Sequence, residues 1–175
     1  MKLFYGFRCF FDRVSREIKR IKFKQSLIFA LIFLVIGIVD CIISGSINPI
    51  FYMYILPKST LSLPLFYIFW FVSLLFCGVI FSGILNVEKF RKNNTFKVIL
   101  CVALMMLFTY ISYPLFFISL AHFFTIVSLL CTMLFCLYAI ILCKKISFLW
   151  TMCLSIHFLW LLYNFYICIA ISIIN

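Results

Sequence analysis

The chain has 175 residues, of which 67% are hydrophobic and 11% are charged, and its formal net charge at pH 7 is +11. A soluble domain of this size cannot cover so much apolar surface, so the composition excludes a soluble globular protein and predicts an integral membrane protein. The basic residues are confined to short stretches between apolar runs. This distribution argues against nucleic acid as a partner.

The first 25 residues form a basic leading segment that contains eight Lys or Arg residues. Its apolar residues recur at helical spacing, which predicts an amphipathic helix lying in the cytoplasmic interface, in contact with membrane lipids. A mitochondrial targeting sequence is also basic and amphipathic, but Asp12 and Glu17 argue against that alternative. No A-x-A-like site follows the first apolar run, so we expect no cleaved signal peptide.

Residues 26–175 are predicted to form one transmembrane domain. The domain contains five apolar runs, each of about 18 residues or more, which is enough for a helix to cross the hydrocarbon core. The runs are predicted to be helices because an open strand cannot satisfy its backbone in lipid. The predicted spans are residues 26–43, 64–84, 98–120, 123–143 and 146–174. The predicted fold class is therefore an all-α membrane protein, a bundle of five transmembrane helices.

The basic residues also predict an orientation. With five crossings, 14 of the 15 Lys and Arg residues fall on the side of the N-terminus, and only Lys58 falls on the other. By the positive-inside rule, the N-terminus lies inside and the C-terminus outside. The expected location is a bacterial inner membrane, with an organelle membrane as the alternative.

Two connections on the outer side differ in length. The first loop, residues 45–63, is long and apolar, and we expect it to pack on the helix ends, where it could cover a cavity. The turn near Ala121 and His122 is very short and predicts a tight antiparallel hairpin of the third and fourth spans.

Few residues could carry polar chemistry within the spans. Asp40 is the only acid well inside an apolar run, and it is either a site residue or a structural acid that reaches interfacial water. His122 and His157 could each serve as an axial haem ligand, although a hydrogen-bonded structural role is more common. The histidines and acids show no metal-site spacing, and no catalytic set is recognisable, so we predict neither a metal site nor an enzyme.

Four stretches, taken in order, resemble the TspO/MBR family of tryptophan-rich sensory proteins and translocator proteins. The family's first loop reads W-Y-x-x-L-x-K-P, where this chain has FYMYILPK, and Trp70 and Gly78 keep the eight-residue offset of the second helix. The third helix, L-N-x-x-W-S-x-L-F-F in the family, is FTYISYPLFF here, with Ser112 in place of Trp. The fifth helix carries IHFLWLLYN, in which Trp160 and Asn164 share a face.

The resemblance implies a cavity within the bundle that binds flat hydrophobic ligands. Porphyrins such as haem or protoporphyrin IX come first and sterol-like molecules second, with no obligatory cofactor and with a homodimer as the implied assembly. Because Ser112 replaces Trp, the pocket is expected to be wider and more polar, and the porphyrin breakdown credited to some members is not expected. The residues implied to contact the ligand are Tyr52, Trp70, Leu74, Thr109, Ser112, Phe116, Trp160 and Asn164.

The expected function is therefore that of a sensor, regulator or translocator for such a ligand. Asp40 and His157 are candidates for an additional polar site. Two alternatives are kept: a small transporter or channel subunit whose polar path runs along Asp40 and Asn164, and a structural bundle without a ligand.

Overall fold

The computed structural model describes residue 12 and residues 14–19, 21–44, 54–86, 92–117 and 121–175, and it gives the backbone alone for residues 92–95 and 117. The helices are α1 (Phe23–Ile43), α2 (Leu63–Leu85), α3 (Lys92–Phe117), α4 (His122–Lys144) and α5 (Phe148–Ile174). Each is long and apolar enough to cross a membrane, and the described residues contain no β-strand. The prediction of an all-α bundle of five transmembrane helices is confirmed.

The ends of the helices differ from the predicted spans by a few residues. The largest difference is at α3, which begins at Lys92 rather than residue 98, because helical hydrogen bonding continues past the apolar part that hydropathy detects. It ends at Phe117, and residues 118–120 of the predicted span lie outside the described residues. α2 begins at Leu63 with Pro64 in its first turn, where proline costs no hydrogen bond.

Helices α1 and α2 form an antiparallel pair in close contact. The backbone of α1 at Ala30 lies directly against Gly78 of α2, and the Ser26 and Ser82 hydroxyls are 3.1 Å apart in a buried hydrogen bond. Helices α3 and α4 form the tight hairpin, α5 packs on α4, and a continuous apolar core connects α2, α3, α4 and α5. We call the end at which α1 ends and α2 begins the outer end, following the predicted orientation.

The surface of the bundle is apolar, as a lipid-facing surface should be. On α1 the side chains of Leu31, Val35, Ile38 and Ile42 are exposed, and a similar row on α4 includes Leu134. A soluble protein would not expose so many large apolar side chains along whole helices. The protein is therefore a multi-pass integral membrane protein.

At the inner end, the leading segment is attached to the start of α5. Of this segment, residues 14–18 are helical, and residues 1–11, 13 and 20 lie outside the described part of the chain. One carboxylate oxygen of Glu17 accepts hydrogen bonds from the Ser147 hydroxyl and from the Leu149 backbone N–H, 2.9 Å away. Ser147 is the N-cap of α5, so the Glu17 charge also lies at the positive end of the helix dipole.

We expect Glu17→Gln to loosen the leading segment from the bundle, because a neutral amide loses the helix-dipole interaction and much of the hydrogen-bond strength. The expected cost is on the order of 1 kcal/mol. Trypsin should then cleave the protein in micelles faster at Lys19, Lys22 or Lys24. Asp12→Asn is the control, since Asp12 is exposed on the same segment. Equal cleavage rates for both variants would contradict the attachment.

Candidate functional site

The outer half of the bundle contains a partly open cavity of about 80 Å³, which lies between α2, α3, α4 and α5. Its walls combine aromatic, aliphatic and small polar side chains, without a Lys, Arg, Asp or Glu among the described residues. The lining residues are Leu56, Thr60, Phe66, Trp70, Ser73, Leu74, Met106, Thr109, Ser112, Tyr113, Phe116, Thr125, Leu129, His157, Trp160, Leu161, Asn164, Ile167, Cys168 and Ile171.

Most of the predicted site residues lie together on these walls. Helix α2 contributes two of them, α3 three and α5 two, and His157 is on the wall as well. The predicted residues on the walls are Trp70, Leu74, Thr109, Ser112, Phe116, Trp160 and Asn164. Tyr52 lies outside the described residues. The ligand-binding role of these residues stays a prediction.

The aromatic part of the wall is built around two tryptophans. Trp160 on α5 is stacked with Phe69 at a centroid distance of 5.9 Å and with Tyr163 at 5.5 Å. Trp70 on α2 is buried, and its ring centroid is 5.0 Å from that of Tyr113 on α3. Such ring contacts fix the orientation of each indole and give the cavity firm apolar faces.

Two small polar side chains of the wall on α3 are hydrogen-bonded to their own helix. Thr109 donates to the Met105 carbonyl at 2.8 Å, and Ser112 donates to the Thr109 carbonyl at 2.6 Å. Because each hydroxyl donates within its helix, it can lie in an apolar bundle without a partner on another helix. These groups line the cavity without costing the bundle an unsatisfied donor.

His157 brings a polar group of α5 against α2. Its Nδ1 is 3.1 Å from the Ser73 hydroxyl, and the Cys77 thiol is 3.4 Å from both ring nitrogens. The imidazole is 4% exposed, so its polar atoms depend on these neighbours. Ser73 and Cys77 were not predicted as site residues, since nothing in the sequence pairs them with a residue 80 positions away.

One wall of the cavity comes from the described part of the first loop. We call residues 54–62 the cover segment, and its Leu56 and Thr60 line the cavity. The segment is held to the outer end of α5: the Leu61 backbone N–H donates to the Tyr163 hydroxyl at 2.9 Å. The Ile55 backbone N–H donates to the Asn175 side chain, also at 2.9 Å. The described part of the first loop therefore packs on α5, as the apolar composition of the loop predicts.

His122 lies at the same end and contacts the cover segment. Its Nε2 is 3.4 Å from the Tyr54 hydroxyl, and its ring meets Phe116 edge-on at a centroid distance of 5.1 Å. His122 is not among the lining residues of the cavity in the part of the chain that the structure describes. No group of three His, Cys, Asp or Glu residues that could hold a metal ion occurs among the described residues.

Asp40 lies outside the cavity, on the buried face of α1. It is 8% exposed, and its Oδ2 atom has no hydrogen-bond partner among the described residues. The antiparallel register, in which Gly37 meets Leu74, places Asp40 near the level of Trp70. The carboxyl group thus lies behind the wall and not on it.

Comparison of the chain with protein-family models and with curated protein sequences finds no match. The function is therefore inferred from the geometry of the cavity and from the residues on its walls.

Proposed function

We propose that this membrane protein binds a hydrophobic small molecule in the outer cavity and acts as a TspO-like sensor, regulator or translocator. A tetrapyrrole such as protoporphyrin IX or haem is the first proposed ligand class, and a sterol-like molecule is the second. One observation carries the proposal. The seven matched residues of α2, α3 and α5 are far apart in sequence, yet all seven line a single cavity.

The character of the walls supports an apolar ligand. Ligand sites are mostly apolar pockets with a small number of polar groups that fix orientation. Here the indoles of Trp70 and Trp160 offer faces on which a flat ring can stack, and the polar side chains are small and uncharged. No Lys or Arg lines the cavity among the described residues. The propionates of a porphyrin would thus have to lie outside the cavity. Lys58, which is exposed on the cover segment between the lining residues Leu56 and Thr60, is a cation available to them.

The size of the cavity adds a condition to this proposal. A cavity of roughly 150 Å³ accommodates benzene, and the space here is about 80 Å³. A macrocycle therefore enters only if the walls move apart. We expect the cover segment to be the element that moves. It is not helical, and it is attached to α5 by hydrogen bonds such as that between Leu61 and Tyr163.

The transport alternative has weaker support in the geometry. It needs a polar path that joins Asp40 to Asn164, and of these two residues only Asn164 lines the cavity. The unpartnered Oδ2 of Asp40 is its one specific observation. We therefore base the proposal on binding, without a catalytic role.

We expect protoporphyrin IX to quench the tryptophan fluorescence of the purified protein in a saturable way, with a midpoint in the micromolar range. Trp160→Phe should raise that midpoint about tenfold, because the indole loses stacking with the macrocycle. Trp150→Phe is the matched control. Trp150 is also buried on α5, but it packs against Gly83 and does not line the cavity.

Empty micelles and lipid nanodiscs give the background from porphyrin that partitions into detergent or lipid. Quenching that grows linearly with porphyrin, without saturation above that background, would contradict the proposed function. Equal shifts for the Trp160 and Trp150 variants would place the ligand elsewhere in the bundle.

A further inference from the structure

Four polar side chains of the cavity, those of Thr109, Ser112, Thr125 and Asn164, share one property, which is that each already donates a hydrogen bond to the protein backbone. Thr109 donates to Met105 at 2.8 Å, and Ser112 donates to Thr109 at 2.6 Å. Thr125 donates to the Ala121 carbonyl at 3.1 Å, and the Asn164 amide nitrogen donates to the Trp160 carbonyl at 2.8 Å. In each case the acceptor is a backbone carbonyl of the same helix or of its N-cap.

A hydroxyl bonded in this way retains only its acceptor function, whereas the Asn164 amide keeps one N–H beside its acceptor oxygen. A hydroxyl has one hydrogen and two lone pairs, so a hydroxyl that donates to the backbone still offers an oxygen. The amide of Asn164 likewise keeps its carbonyl oxygen as an acceptor. These four groups come from α3, α4 and α5, so acceptor oxygens lie on three sides of the cavity.

Two further donors of the wall, the Trp70 Nε1 atom and the Thr60 hydroxyl, are enclosed by protein and do not face the open space. The Nδ1 atom of His157 is engaged with Ser73. Among the described residues, no cationic side chain lines the cavity. A carboxylate or sulfate placed here would lose its water and meet oxygen atoms, which makes its burial costly.

We propose that the cavity selects ligands whose polar head donates hydrogen bonds and carries no negative charge. A hydroxyl or N–H group on an apolar body is the class it fits. This inference rests on the proposed binding function and narrows its ligand. For a tetrapyrrole it places the carboxylates outside the cavity.

A sterol series tests the head group on a constant body. The full-length protein in nanodiscs is loaded with dehydroergosterol, which accepts energy from tryptophan, and three competitors then displace it. Cholesterol can donate, cholesteryl methyl ether can only accept, and cholesterol sulfate is an anion. We expect cholesterol to displace the probe at concentrations about tenfold lower than either of the others, as one lost hydrogen bond predicts.

Two variants connect this preference to the wall. The double change Thr109→Val and Ser112→Ala removes two acceptors and should reduce the preference for cholesterol over its ether to less than about threefold. Thr132→Val is the matched control, since Thr132 is buried and donates to the Ser128 carbonyl at 3.0 Å but does not line the cavity. Ser112→Ala alone is the milder variant if the double variant does not fold.

The outcomes separate the two proposals. Saturable probe binding with equal displacement by cholesterol and its ether overturns the acceptor-lined cavity and leaves the binding function standing. Preferred displacement by cholesterol sulfate overturns it as well. Absence of saturable binding, both of dehydroergosterol and of protoporphyrin IX, overturns the binding function and this inference with it.

Discussion

Replacement of Gly78 by alanine is expected to destabilise the bundle by about 2 kcal/mol. A methyl group at Gly78 would lie 2.5 Å from the Ala30 Cα and 2.6 Å from the Phe29 carbonyl oxygen, and both are backbone atoms of α1. Alanine gains up to about 1 kcal/mol of helix propensity over glycine. Overpacking costs about 1–3 kcal/mol. Because the clash is with backbone atoms, no change of side-chain rotamer can relieve it, and we expect a cost at the upper end of that range.

The measurement is a denaturation titration in mixed micelles, followed by tryptophan fluorescence. Gly37→Ala is the control on the same helix pair, because its new methyl group would meet the end of the Leu74 side chain. Leu74 is flexible and borders the cavity, so it can rotate into free space. We expect this control to stay within about 1 kcal/mol of the parent protein. A larger loss for Gly37→Ala than for Gly78→Ala would contradict the close approach of α1 and α2.

The number and type of the helices could be predicted from the sequence, because lipid permits few alternatives. A run of about 20 apolar residues must satisfy its own backbone hydrogen bonds, so its composition alone specifies a helix. The residues at which the helices begin and end were harder to predict. The start of α3 at Lys92 depends on hydrogen bonding in a polar stretch that hydropathy does not register.

The walls of the cavity could be predicted only where a motif connected distant positions. Trp70, Ser112 and Trp160 were named because they occupy matched positions of a family pattern. Periodicity would also have placed Asn164 on the face of Trp160. Thr125 and Leu129 of α4 were missed, because no motif covered that helix, and a threonine in an apolar run is usually a packing residue.

The attachments at the two ends of the bundle could not be predicted from the sequence. Glu17 meets Ser147 across 130 positions, and Ile55 meets Asn175 across 120. Neither pair has a sequence signal, since a carboxylate in a basic segment and an amide in the last position are both ordinary surface residues. Such contacts follow from the antiparallel order of the helices, and they become visible only when the bundle is assembled.

Ser112 is where the sequence and the structure together make the sharpest prediction. The family pattern places Trp at this position, and the sequence interpretation was that Ser112 leaves a wider, more polar pocket. In the structure Ser112 is 3% exposed, its hydroxyl is bonded to Thr109, and it borders a space of about 80 Å³. An indole is larger than benzene, which itself occupies a cavity of roughly 150 Å³. The indole alone exceeds this space, so a tryptophan at position 112 fits only if the walls move apart, and it then occupies the room that a ligand would take.

We expect Ser112→Trp to abolish saturable quenching by protoporphyrin IX, with the midpoint raised at least about a hundredfold, while the protein remains folded. When the new indole fills the cavity, the ligand loses its contacts with several walls at once. The loss of binding free energy is then larger than that caused by removing one stacking partner such as Trp160. Ser155→Trp is the matched control, since Ser155 is exposed on α5 and donates to the Thr151 carbonyl in the same way. The added tryptophan changes the fluorescence of both variants, so binding is also followed by the porphyrin absorbance. Tighter porphyrin binding by Ser112→Trp would contradict this geometry. It would mean that the walls open far enough for the new indole to stack on the macrocycle.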